Sequence, residues 1–198
     1  MRDLAETRPE PPPRRHHRCP GWAAPFMALP LRRLFENPEK LLGPWVEPGM
    51  TVLDVGCATG FFSLPLARMT GEQGRVVCVD VEPRMVNGLV RRATKAGLEG
   101  RVEARVCDEH DLGLSDLEES VDLAVALHTL HELPDIERGI GQIVGALKPG
   151  GRLLVIEPRG HVSPATWDYE LETARRLGLT VSEQPELRRR FAAILERQ

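Results

Sequence analysis

The run Val52-Leu53-Asp54-Val55-Gly56-Cys57-Ala58-Thr59-Gly60-Phe61-Phe62-Ser63 constrains this chain more than any other feature. A strand-like apolar run ends in a glycine turn, and a helical pattern follows. Glycine lacks a Cβ and reaches positive φ at little cost, so such a turn lets backbone approach a ligand closely. The start of the following helix adds unsatisfied N–H groups. Asp54, two residues before the first glycine, narrows the ligand. A carboxylate at the end of a strand repels a pyrophosphate and attracts a cation, so the turn suits a ligand with an ammonium group better than a dinucleotide. The spacing agrees, because a dinucleotide turn calls for Gly-x-Gly-x-x-Gly. This chain has Gly56-x-x-x-Gly60, with Ala58 and Phe61 where further glycines would help.

An ordered set of segments follows this turn. Asp80 closes the next apolar run, Arg75-Val76-Val77-Cys78-Val79-Asp80, twenty residues beyond Gly60. Cys107-Asp108-Glu109 ends a third segment that starts at Arg101, and Val121 to Leu127 reads as a fourth strand. Lys148-Pro149-Gly150-Gly151 leads into a fifth, ending at Glu157-Pro158. At Asp54, Gly56 and Gly60 the sequence resembles motif I of the class I S-adenosylmethionine-dependent methyltransferases, and the resemblance extends from about Glu36 to the end. Ala58 departs from it, since many members carry glycine there.

The resemblance implies an α/β fold with a single doubly wound, mostly parallel seven-stranded sheet whose last strand is antiparallel. It implies S-adenosylmethionine as cofactor, with Gly56, Cys57, Ala58 and Gly60 forming its turn. Asp54 would attract the methionine ammonium indirectly or through water. Asp80, beside Val81, would accept both ribose hydroxyls, although it also stands where a helix N-cap before Glu82-Pro83 is a rival role. Asp108 and Glu109 would lie near the adenine amino group, and Leu127 at the end of the fourth strand. The expected activity is methyl transfer to a small-molecule acceptor. The alternatives are an RNA or protein methyltransferase, or a non-catalytic cofactor-binding module.

Composition bounds these readings. A chain of 198 residues with 41% hydrophobic content suits one globular domain. The net charge of −3 is spread over interspersed acids and bases, which gives no general attraction for nucleic acid or an anionic membrane. No apolar run approaches the ~20 residues of a bilayer span, and the first residues lack the core of a secretory signal, so a soluble cytoplasmic protein is expected. The four cysteines, at 19, 57, 78 and 107, show no CxxC spacing. Reduced thiols, with neither disulfide framework nor metal site, are the expectation.

Residues 1–20, rich in proline, arginine and histidine, read as a disordered or extended tail. The methyltransferase domain is expected over 21–198, with 21–47 as a helical cover over the substrate pocket. Beyond the motif, extended runs alternate with helical stripes. Met85, Leu89, Ala93 and Ala96 form one stripe, with Pro83 in its first turn and Gly97 as its cap. Ile136, Ile140, Ile143, Val144 and Leu147 form a second, opened by Pro134. Ser163-Pro164 opens a third that carries Trp167, Leu171 and Ala174 and ends at Gly178. Segments near 179–182 and 190–195 read as the last two strands.

Catalytic candidates cluster after strands four and five, at the carboxyl edge of an open sheet. In Leu127-His128-Thr129-Leu130-His131-Glu132 the imidazole of His131 is placed to take a proton near neutral pH, with His128 a lesser candidate. His161, in Glu157-Pro158-Arg159-Gly160-His161, is a second acid/base candidate. Glu157 would orient the acceptor or pair with Arg159. His131-Glu132 does not continue as a zinc-binding helix, because position 135 is aspartate.

Overall fold

Strand alternation assigns each residue of the central sheet to one of two cores. The computed structural model describes residues 36–198; the expected tail and the 21–35 part of the expected cover lie outside that range. The elements are α1 (Pro38–Leu42), β1 (Thr51–Val55), α2 (Ser63–Met69), β2 (Arg75–Asp80), α3 (Pro83–Lys95), β3 (Val102–Val106), β4 (Val121–Leu127), α4 (Ile136–Ala146), β5 (Leu147–Pro158), α5 (Pro164–Arg176), β6 (Leu179–Glu183) and β7 (Arg190–Arg197).

The seven strands form one sheet in the order β3-β2-β1-β4-β5-β7-β6. Strand β1 pairs in parallel with β2 on one side and β4 on the other, and β7 runs antiparallel to both β5 and β6. This is the expected doubly wound sheet with an antiparallel last strand. The chain leaves β1 toward β2 and later returns to β4 on the opposite side. Such a reversal opens a crevice at the carboxyl ends of the strands, where ligands of open α/β sheets sit.

On one face, Leu53 and Val55 of β1 join Ile140, Ile143, Trp167 and Leu171 from α4 and α5. On the other, Val52 joins Leu66 of α2 and Leu89 and Ala93 of α3. Full burial of each such aliphatic side chain contributes about 1.5–3 kcal/mol. Local signals set the helix ends. The carboxylate of Glu82 accepts the Arg84 N–H at the start of α3, with Pro83 in the first turn. Asp135 caps α4 and Ser163 caps α5 in the same way, each accepting the N–H three residues on. Two expected boundaries shift. The cap of α4 is Asp135, one residue after Pro134, because a carboxylate can accept the free N–H and proline has no side-chain acceptor. Ala96 is exposed rather than part of the buried stripe of α3, since the helix ends at Lys95 and Leu98 fills the core behind it.

Asp54 alternates onto the α2 side of β1, where it is 2% exposed and accepts a hydrogen bond from the Ser63 hydroxyl at 2.6 Å. Burial pushes its carboxyl up to about 7; the Ser63 hydrogen bond opposes this, and the Asp80 charge adds to it. Because the folded value lies above the ordinary 3.8, this contribution to stability is complete below that value and is lost as pH rises through about 7. Asp54→Asn keeps an acceptor for Ser63 and removes the titration. Denaturant unfolding across that window should show the wild type losing roughly 4 kcal/mol relative to the variant; a difference independent of pH would refute the assignment.

Candidate cofactor and acceptor site

The glycine turn is tied to the end of β2 by main chain. The N–H groups of Gly56 and Cys57 both donate to the Val79 carbonyl, at 2.9 and 3.1 Å, and Gly60 N–H turns back onto the Cys57 carbonyl. Gly56 holds φ +74°, and a Cβ there would collide with the Thr129 side chain. Ala58 holds φ +45°, so the position where the family favours glycine keeps its left-handed geometry with an added methyl group.

Asp80 joins the turn to the next helix. Its Oδ2 accepts the Ala58 N–H and its Oδ1 accepts the Glu82 N–H, each at 2.9 Å. Glu82, not Asp80, is the cap of α3. A carboxylate offers about four acceptor positions, so two remain for a diol. Burial raises the Asp80 carboxyl, and the two backbone hydrogen bonds pull it back.

Around Asp80 lies a cavity of about 440 Å³, within the usual range for small-molecule sites. Of the expected cofactor residues, Gly56, Cys57, Ala58, Asp80, Val81, Asp108, Glu109 and Leu127 line it together. Asp54 and Gly60 do not. Asp54 lies behind the turn on Ser63, and Gly60 packs against Leu89, where a Cβ would collide. Sequence reasoning did not single out Phe61, Phe62, Met85, Leu112, Thr129, Glu132 or Leu133 as lining residues. Phe61 and Phe62 pack edge to face at 4.9 Å, and such a pair directly after a ligand-binding turn was a usable signal. The thiols at the wall are held in their protonated form. The hydrogen bond to Cys78, followed by burial, pushes Cys57 up, and burial pushes Cys107 up to about 11.

The polar atoms and shape of this cavity fit the group the motif implies. Asp80 keeps open acceptor positions for a ribose, and the exposed Val81 offers an apolar rim beside Asp108 and Glu109. The aromatic and aliphatic wall from Phe61 to Leu133 suits a flat base and a sulfonium kept away from water.

The catalytic candidates are placed differently. His128 lines the cavity, holds φ +64°, and lies 3.6 Å from Glu36, which in turn pairs with Arg190 at 2.7 Å. His131 and His161 are absent from the cavity wall. His131 is buried, its Nδ1 lies 2.6 Å from Glu157 Oε2, and its backbone N–H donates to Glu157 Oε1. Its Nε2 is also buried and has no hydrogen-bond partner among the described residues. The His161 ring stands edge-on to it at 5.9 Å. Glu157 therefore pairs with His131 and not with Arg159. Among the described residues, no group of three or more His, Cys, Asp or Glu side chains is arranged to hold a metal ion.

Burial pulls the His131 imidazole down, but the hydrogen bond and charge of Glu157, with a smaller push from the Glu132 charge, outweigh it, and the net shift is upward. Glu157→Gln removes the larger of the two raising charges and leaves burial opposed only by Glu132. NMR titration should find His131 titrating above its ordinary 6.5 in the wild type and below it in the variant; an unchanged midpoint would show that the pair does not set it.

Comparison with known proteins agrees with this geometry. A family model described as a methyltransferase domain matches residues 46–192. The demethylmenaquinone methyltransferase of Desulfitobacterium hafniense is 32% identical over 111 residues, covering 56% of this chain and 43% of the relative. A ubiquinone/menaquinone biosynthesis C-methyltransferase of Vibrio vulnificus is 31% identical over 111 residues, covering 56% and 42%. The chain thus spans less than half the length of these curated relatives. Among solved structures, a SAM-dependent methyltransferase from Aquifex aeolicus superposes with a TM-score of 0.78 at 27% identity, covering 88% of this chain and 97% of that one. The [4+2]-cyclase SpnF gives 0.63 at 27% identity, covering 74% and 58%. With three quarters of its length matched by one domain model, and with the motif-bearing turn and acidic strand end lining one cavity, the chain belongs to the class I S-adenosylmethionine-dependent methyltransferase family.

Proposed function

We infer that this protein transfers a methyl group from S-adenosylmethionine to a small-molecule acceptor. The observation that carries the reading is Asp80: a carboxylate fixed by two backbone N–H groups, facing a cavity, with acceptor positions to spare. Asp80, Asp108, Glu109 and the turn from Gly56 to Ala58 would hold the cofactor, which would supply an already activated methyl group for in-line transfer. The chain's own residues hold, align and dry the site. Asp80 accepts ribose hydroxyls, Asp108 and Glu109 border the base, and Phe61, Phe62, Leu127 and Leu133 exclude water.

Asp54 acts from behind the turn, as a buried carboxyl whose ionisation favours a cationic ligand in front of it. His131 and His161 remain acid/base candidates that would act only after a rearrangement bringing an imidazole to the cavity. Residues 21–47 serve as the cover, a role supported by Glu36, which joins His128 at the cavity wall to Arg190 at the start of β7. The described residues include no helix long and apolar enough to cross a membrane, and free thiols at 57, 78 and 107 fit a reducing cytoplasm.

The relatives are named for demethylmenaquinone and for ubiquinone/menaquinone biosynthesis, and they match this chain over 111 residues. The acceptor must be read from this chain's own residues. The cyclase of the same fold shows that such a scaffold serves more than one chemistry, so cofactor binding and turnover are tested separately. Calorimetry should show S-adenosylmethionine binding that Asp80→Ala weakens tenfold or more, and unchanged binding by that variant would overturn the site. Labelled methyl donor incubated with a metabolite extract should yield a labelled product; binding without any product would leave a cofactor-binding module.

A further inference from the structure

We propose that the acceptor carries an anionic group, a carboxylate or a phosphate, and that it is held by an arginine-lined cavity beside the cofactor site. The proposal rests on the methyltransferase reading and names the substrate class for it.

The cavity measures about 590 Å³ and is lined by Arg159, Trp167 and the stretch 184–192. Four of its residues are arginines, at 159, 188, 189 and 190, against the single carboxylate of Glu186. Arg190 is committed to Glu36. Arg188 and Arg189 are exposed, and neither guanidinium has an ion-pair partner among the described residues. Their presentation is fixed by a tight turn in which the Arg190 N–H donates to the Leu187 carbonyl and Arg189 takes φ +61°. A non-glycine residue in that region costs on the order of 1–3 kcal/mol, strain that tends to be kept where a side chain must be aimed.

Arg159 is positioned more firmly. Its guanidinium lies over the Phe191 ring at 4.6 Å, and that ring also stacks on Trp167 at 5.4 Å and 12°. Its Nε donates to the Arg190 carbonyl, which leaves the two terminal nitrogens as donors in a fixed plane. A planar fork of this kind matches a carboxylate or phosphate edge, and holding it in place beforehand reduces the entropy lost on binding. The Trp167–Phe191 stack adds an apolar floor for the organic part of the ligand.

Location connects this cavity to methyl transfer. Pro158 pairs with Arg190 at the carboxyl end of β5, the same edge of the sheet as the glycine turn. Glu36 contacts both Arg190, on this cavity, and His128, on the cofactor cavity, so one side chain bridges the two walls. A molecule with its anion at Arg159 lies alongside the cofactor cavity rather than across the protein from it.

The test uses benzoate and phenyl phosphate as anionic probes, benzyl alcohol as the neutral one, and a single-stranded RNA decamer, each titrated into the full chain by calorimetry. At least one anion should bind tenfold or more tightly than benzyl alcohol. A preference for phenyl phosphate would assign a phosphoryl group, and a preference for benzoate a carboxylate. Arg159→Gln and, separately, Arg188→Gln should each weaken that anion at least fivefold. Arg188 is exposed, so its variant guards against a folding artefact. In both variants S-adenosylhomocysteine should bind within twofold of wild type. Equal binding of anionic and neutral probes, or anion binding untouched by both substitutions, would overturn the proposal. RNA binding tighter than either anion and falling steeply with salt would overturn it in favour of a nucleic-acid substrate. Loss of S-adenosylhomocysteine binding in the wild type, with anion binding intact, would instead count against the methyltransferase reading.

Discussion

The clamp made by Asp80 organises the rest of the site. One oxygen takes the Ala58 N–H and the other the Glu82 N–H, so a single carboxylate joins the turn after β1 to the start of α3. Without it, two backbone donors at a partly buried edge would lack partners, at roughly 1–3 kcal/mol each. The same two bonds aim the remaining lone pairs into the cavity. Glu82 takes the cap of α3, and Asp80 holds the backbone of that cap residue while keeping acceptor positions at the cavity.

Much of this was legible in the sequence. Strong period-two and period-3.6 patterns located the strands and the three long helices to within a few residues, because parallel strands buried on both faces read as continuous apolar runs. The turn residues from Gly56 to Ala58 and the acids at 80, 108 and 109 also came together as expected, since each ends a strand and all strand ends share one edge of the sheet. What the sequence hid was side-chain direction. Asp54 alternates away from the cavity onto Ser63, a consequence of period two that its position in the motif obscured. His131 emerges in a short helical turn beside β5 and pairs with Glu157 from that strand, a contact across 26 residues that no local pattern announces. The Trp167–Phe191–Arg159 stack likewise joins α5, β7 and the end of β5.

The two cavities differ in chemical character in a way that suits their proposed ligands. The one at Asp80 is walled mostly by apolar and aromatic groups with acids at its rim, suited to a cationic ligand. The other presents guanidinium groups. With the signs of charge separated in this way, a cation is disfavoured beside the arginines and an anion beside Asp80, Asp108 and Glu109. Like-charge mismatch of that kind sets orientation more effectively than added attraction.

The order in which β7 enters the sheet has an evolutionary consequence. Among the described residues, those lining the cavity at Asp80 fall within positions 55 to 134, whereas the arginine-lined cavity draws on 159 to 192. The scaffold is thus modular along its length: substitutions in its last third can reshape the arginine-lined cavity without touching a wall residue of the cavity at Asp80.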